Sequence, residues 1–264
     1  QQTAISHIDF NTLGLLIGMM IIVNITSETG LFNFLAIWAA KKVKARPIAL
    51  LVALSALTMV CSALLDNVTT VLLTVPITFS ITAQLKVDVK PYLISQILAS
   101  NIGGTATLIG DPPNIMIGSA VGLNFMDFVW NLTGLCIFIF IVVEALLIAI
   151  YGKALKTQPE LQEKVMRLNA KSQIANPKLL KKCLFVIAVT ISMFVLHGTL
   201  GLQTATAALS GAGLLLLITY TRNESMIAKV LSKVEWLAIF FFAGLFVLVG
   251  ALVETGVIKM LAVE

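Results

Sequence analysis

Charge is what this sequence has least of. Only 12% of its 264 residues are Asp, Glu, Lys or Arg, 58% are hydrophobic, and the mean hydropathy is +0.99. That balance excludes a water-soluble domain, and apolar runs of membrane-spanning length recur throughout, as in a polytopic membrane protein. Cysteine is sparse too. Cys61, Cys136 and Cys183 each lie in an apolar stretch without metal or redox spacing, so they read as small core hydrophobes. There is no His/Glu zinc pattern, and the stretch from Gly104 to Gly110 lacks the Lys-Ser/Thr of a nucleotide-binding loop. Leu108 stands where an intramembrane aspartyl protease motif needs glycine. A membrane enzyme is therefore disfavoured, and no cofactor is expected. The pI near 9.2 does not imply nucleic acid, because the cations sit in short loops between spans. Neither a cleavable signal peptide nor an initiating Met is found at Gln1, and the chain reads as a piece of a longer protein.

What is present is a series of spans, two of them interrupted. Asn11 to Thr26 is a first span with Gly14 and Gly18 as a close-packing face, followed by a short apolar segment from Leu31 to Ala40. Pro47 to Leu65 and Val71 to Ala83 flank the polar stretch Asp66-Asn67-Val68-Thr69-Thr70, with basic loops at both ends. A single helix over ~36 residues would be ~54 Å long, well beyond the ~30 Å hydrocarbon core, so the spacing predicts a re-entrant helix hairpin over 47–84. Over 91–122, the arms Pro91 to Ala99 and Ile115 to Val121 are each too short to cross alone. Between them lies a stretch from Ser100 to Asn114 rich in Gly, Pro, Asn and Thr. This predicts one discontinuous transmembrane helix, the kind of element in which secondary transporters hold substrate and coupling ion.

Leu132 to Tyr151 is a further span carrying Glu144, read as lying near the helix end or against a neighbour. A basic loop follows over 153–182, with a surface helix from Pro159 to Ala170. Cys183 to Leu200 and Thr204 to Tyr220 are two spans joined by a tight turn around His197-Gly198, His197 being interfacial, and Leu237 to Val253 is the last span.

The end of the chain repeats its beginning at a constant offset of 226: Ile8-Asp9-Phe10 matches Val234-Glu235-Trp236, Gly18 matches Gly244, Glu28-Thr29-Gly30 matches Glu254-Thr255-Gly256, and Leu35-Ala36 matches Leu261-Ala262. With the loop at Lys41 to Arg46 cytoplasmic, counting crossings places 17 of the 18 Lys and Arg inside, Lys259 being the exception. The two copies then cross in opposite senses. The expected fold is an all-α polytopic membrane protein with an inverted-repeat transporter architecture. Residues 1–152 form the first repeat, and 183–264 open a second one that continues beyond the chain. Because half of the cavity wall is then missing, residues 1–264 are expected to be inactive alone.

The chemistry concentrates at the two interruptions. The hairpin tip offers Asp66, Asn67, Thr69 and Thr70. The broken helix offers Ser100, Asn101, Gly103, Gly104, Thr105, Thr107, Gly110, Asp111 and Asn114. Half-helix N-termini aim N–H groups at a site, glycine admits close approach, and buried carboxyls suit proton or cation coupling. The alternative reading is that Asp66 and Asp111 cap helices at the breaks, and one carboxylate can do both. A sodium ion, if used, is expected at Asp66, Asn67 and Asp111. The expected partners are a small ion or solute and the lipid bilayer.

Four stretches carry a resemblance: Asp9-Phe10-Asn11-Thr12-Leu13, Ser27-Glu28-Thr29-Gly30, Asp66-Asn67-Val68-Thr69-Thr70 and Asn101 through Asn114. At these the chain resembles the ion transporter superfamily, in the branch of arsenite permeases, NhaD-type sodium/proton antiporters and the melanosomal P protein. The resemblance implies an integral, multi-pass secondary carrier of the plasma (inner) membrane, often a homodimer, with an elevator-like or rocking movement. The implied function is proton- or sodium-coupled transport by alternating access. Related sodium/dicarboxylate carriers place Ser-Asn-Thr at the hairpin tip. This chain has Asp66-Asn67-Val68 there, and an acidic residue fits proton or cation exchange better. The alternatives are a passive ion channel and a sodium/dicarboxylate symporter.

Overall fold

The computed structural model describes residues 5–221 and 223–262, and all regular structure within them is helical. Arg222, assigned above to a cytoplasmic loop, and Gln1 fall outside the described residues, and the side chain of Lys259 is not described. The helices are α1 (Phe10–Ser27), α2 (Leu31–Lys42), α3 (Pro47–Leu64), α4 (Asn67–Leu85), α5 (Lys90–Thr105), α6 (Pro112–Val121) and α7 (Phe125–Tyr151). They continue with α8 (Pro159–Met166), α9 (Pro177–Leu200), α10 (Thr204–Tyr220), α11 (Glu224–Ser232), α12 (Trp236–Glu254) and α13 (Val257–Ala262). Six of them, α1, α3, α4, α7, α9 and α12, are long and apolar enough to cross a bilayer. Helix is the expected answer to lipid, where each backbone polar group must be satisfied within its own segment. The protein is a polytopic membrane protein. Its chain divides into two compact units, 23–185 and 1–22 with 186–264.

In the unit 23–185, α3 and α4 form a hairpin. Leu50, Leu51 and Leu54 near the start of α3 share one core with Ile81 and Leu85 at the end of α4, so the chain returns to the end it left. Tyr92 of α5 joins that core and donates its hydroxyl to the Pro47 carbonyl at 2.9 Å. The second arm begins at Asn67, earlier than the predicted Val71, because Asp66 caps it and its threonines fold back on their own helix. Thr74, Thr78 and Thr82 donate to the carbonyls of Thr70, Thr74 and Thr78 at 3.0, 3.0 and 2.8 Å.

The broken helix is real, but its break is shorter than predicted and covers 106–111. Ser100, Asn101 and Thr105 remain helical because each bonds back into α5, to the carbonyls of Ile97, Ile97 and Asn101 at 2.9, 2.8 and 2.8 Å. α6 starts at Pro112 rather than Ile115, since two prolines suit a first helical turn. α7 runs back alongside: Thr133 reaches the Ala106 carbonyl at 3.4 Å and Glu144 meets Ser95 at 2.5 Å, an equal number of residues along each helix. At 1.5 Å per residue, α7 begins ~12 Å beyond the level of the break. α6 bridges that distance, so α5 and α6 together traverse what α7 traverses alone.

The segment 153–182 is largely exposed but pinned at a few points. Its helix ends at Met166, short of Ala170, and Leu155 and Val165 are buried in the core with Ala36, Ala40 and Leu50. Lys41 Nζ donates to the Leu168 carbonyl at 2.9 Å, Thr157 to the Leu85 carbonyl at 2.5 Å, and Ala175 N–H to the Thr29 carbonyl at 3.0 Å. Carbonyls left open at helix ends are what draw this segment in.

In the unit formed by 1–22 and 186–264, Gly14 and Gly18 of α1 lie against Ala205 and Ala208 of α10; a Cβ on Gly18 would sit 2.6 Å from the Ala208 carbonyl carbon. The same order along both chains makes these helices parallel. Asn11 Oδ1 locks the pair by accepting from Ala205 N–H at 2.9 Å. His7, just before α1, meets Glu254 at the end of α12 at 3.1 Å. His197 lies within α9 and is buried, with Nδ1 2.6 Å from the Phe194 carbonyl, rather than in a turn at the interface; the chain turns at Gly201, φ 62. The repeated Glu-Thr-Gly stretches close their helices alike. Gly30 and Gly256 adopt left-handed φ of 79 and 76, a conformation costly for other residues.

Candidate functional site

The two interruptions meet. Ser62 near the end of α3 donates to the Ser100 carbonyl of α5 at 2.7 Å, and Thr107 in the break donates to the Ala63 carbonyl at 2.5 Å. Asn67 Nδ2 at the head of α4 reaches Asn101 Oδ1 at 3.3 Å. Gly110 is wedged between backbones; a Cβ there would lie 2.5 Å from the Gly104 carbonyl oxygen and 2.7 Å from that of Ser62. A Cβ on Gly103 would collide with the Met59 carbonyl, so this glycine admits α3 rather than a ligand. Asn114 ties the break together from α6, sharing the two hydrogens of its amide among the carbonyls of Gly104, Thr105 and Thr107 at 3.2, 3.1 and 2.9 Å.

Two half-helix N-termini face this junction, each headed by an aspartate. Asp66 caps α4, its Oδ1 accepting from Thr69 N–H at 2.7 Å, and its residue is 8% exposed. Asp111 precedes α6 with an extended backbone, φ −148 and ψ 134, and its carboxylate makes no capping hydrogen bond. Asp111 and Asn67 are half-buried, and Asn101 and Thr105 are exposed, so the junction has an open side. Thr69 and Thr70 are placed in the first turn of α4 instead of at its tip. Thr69 donates its N–H to Asp66, whereas the buried Thr70 hydroxyl has no partner among the described residues. No group of three His, Cys, Asp or Glu able to hold a metal occurs among the described residues. The acidic pair with Asn67 is instead an oxygen-rich set suited to a hard cation or a proton.

A family model described as "Citrate transporter" matches residues 1–263. The chain belongs to the citrate transporter family. An "Uncharacterized transporter" of Mycobacterium tuberculosis (strain ATCC 25618 / H37Rv) is 43% identical over 256 residues, covering 97% of this chain and 58% of the relative. The "46 kDa membrane protein" of Mycobacterium leprae (strain TN) is 41% identical over 255 residues, with the same shares of 97% and 58%. The mouse "P protein" is 31% identical over 326 residues, 97% of this chain and 39% of the relative. The chain thus spans 58% of the length of the mycobacterial relatives it matches. Family and relatives indicate a membrane transporter rather than an enzyme.

This member of the citrate transporter family also carries a buried polar seam that reading the sequence missed. Gln96 of α5 bridges the hairpin arms, donating to Thr58 of α3 at 3.2 Å and accepting from Thr78 of α4 at 3.0 Å. Lower in the bundle Ser55 of α3, Ser95 of α5 and Glu144 of α7 form a second cluster. The signal was available: Thr70, Thr74, Thr78 and Thr82 recur every four residues, one helical face of hydroxyls inside an apolar segment.

Proposed function

We propose that the full-length protein is a secondary active transporter for a small inorganic ion or solute, coupled to protons or sodium. Its binding site is the junction of the two breaks. The observation that carries this reading is the meeting of two helix N-termini, each headed by an aspartate, at an interruption of membrane-spanning elements. Bare backbone and carboxylates at such depth are costly unless they face a ligand or water. Asp66, Asn67 and Asp111 hold the coupling cation or proton. Asn101, Thr105, Thr107, Asn114 and the backbone of Gly104 and Gly110 shape the ligand side, and the unpartnered Thr70 hydroxyl is available to either. The matching glycine closures support an inverted repeat, with alternating access of the site. By resemblance, the carrier works as a homodimer.

The test is gradient-driven uptake by the full-length protein in proteoliposomes, over sodium, arsenite, chloride, citrate and dicarboxylates. Citrate belongs in the set because the family description names it. The expected result is flux of one species that follows an imposed pH or sodium gradient. Flux that ignores both gradients and runs at channel rates overturns the carrier reading in favour of a passive channel.

A further inference from the structure

Glu144 is the acidic residue that the junction does not use. It is 4% exposed on α7, a helix otherwise made largely of lipid-facing apolar side chains. Ser95 donates to its Oε1 at 2.5 Å, and Ser55 stands behind Ser95 within hydrogen-bond distance. Its Oε2 is buried without a hydrogen-bond partner among the described residues. The surrounding helices bring no compensating charge. From α3 through α7 the charged residues, apart from Glu144 itself and the two aspartates at the breaks, are Lys90 at the outset of α5, Asp127 at the head of α7, and the loop residues Lys86 and Asp88. The other titratable side chains of those helices are Cys61, Tyr92, Cys136 and Tyr151, and the Tyr92 hydroxyl is committed to the Pro47 carbonyl. An ionised carboxyl here is held by hydroxyls alone, with one oxygen bare, an arrangement expensive in a membrane and typical of ion and proton pathways.

Its height matters as well. Glu144 lies eleven residues along α7 from Thr133, which marks the level of the break. At 1.5 Å per residue that is ~16 Å toward the end of the bundle holding Pro47, Leu85 and Tyr92. The seam of Thr58, Gln96 and Thr78 belongs to the same three helices that carry Ser55 and Ser95.

We propose that Glu144 is a second proton site of the transport cycle, between the junction and the basic end of the bundle, controlled by Ser95 and Ser55. The step is a proton transfer only. A hydronium ion delivers its proton to Oε2, an O–H bond forms and water is released; on the return the same bond breaks heterolytically and the proton passes to water. Movement of α7 against α5 separates Ser95 from Oε1, removes the donor that holds the charge, and so ties uptake to conformation. This rests on the coupled-transporter reading above.

The test is infrared difference spectroscopy of the full-length protein in bilayers across a pH series. A protonated-carboxyl band that grows as pH falls, is absent in Glu144→Gln and persists in Asp66→Asn supports the proposal. In Ser95→Ala, where Glu144 is retained, the band is expected to shift in frequency because its hydrogen bond is gone. No band lost in Glu144→Gln at any pH overturns the proposal. So does a band that stays constant over the whole series, or an unchanged spectrum in Ser95→Ala. The readout needs no substrate, so failure of the transporter reading appears separately, as uptake without gradient dependence while the band still titrates.

Discussion

The two interruptions are built alike and closed differently. Between α3 and α4 only Leu65 and Asp66 are non-helical, and the joint closes itself: Asp66 caps the helix that follows it. Between α5 and α6 the break extends over 106–111 and is closed by others, by Asn114 on three carbonyls and by Thr107 on Ala63. Asp111 makes no capping hydrogen bond, and Pro112 and Pro113 after it have no N–H to be capped. One aspartate is engaged as a cap, while the other makes no capping hydrogen bond. The difference teaches that at a broken helix an aspartate followed by prolines is not spent on capping, because they offer it no N–H.

This comparison makes graded predictions for the full-length protein, with stability read by thermal unfolding in detergent and function by gradient-driven flux. The largest effect belongs to Gly110→Ala. Its Cβ meets two backbone carbonyls that no rotamer change can move, and overpacking of that kind costs about 3 kcal/mol or more. The expected outcome is little folded protein; a normal melting temperature would show that the breaks do not meet. Next comes Asp111→Asn, which should reduce gradient-dependent flux at least ~10-fold, equivalent to ~1.4 kcal/mol, while leaving the melting temperature unchanged. Full coupled flux in this variant removes Asp111 from the mechanism.

Asp66 should respond in two parts. Asp66→Ala loses the cap and about 1 kcal/mol of stability together with flux, whereas Asp66→Asn, an equally good cap, should lose flux only. Equal destabilisation by both substitutions would contradict the division of labour drawn here. The smallest effect is expected for Asn67→Ala. Its long bond to Asn101 at 3.3 Å is worth ~0.6 kcal/mol in a membrane setting, so a slight loss of stability should accompany a larger change in ion dependence.

Much of this was legible from residue order. The two interruptions were legible because polar residues stand out between apolar arms of near-spanning length. The extent of each break was not legible. Ser100, Asn101 and Thr105 look like helix breakers, yet each bonds a carbonyl of its own helix, and only the surrounding packing makes that local choice the stable one. Gly103 looked like a point of ligand approach and proved to be a point of helix approach. The anchoring of the basic segment after α7 was not legible, because Leu155 and Val165 are two apolar residues among many polar ones and nothing local says that they are buried.

The sequence by itself determined that the chain lives in a membrane, where its helices are interrupted and which residues bear charge there, because those properties depend on composition and run length. Only the tertiary structure decided which aspartate is occupied as a cap, which glycines separate backbones, and that Glu144 faces two serines with an oxygen left bare. Those depend on which helix lies beside which, and hydrogen bonds between residues some forty to fifty positions apart leave no periodic mark on the chain.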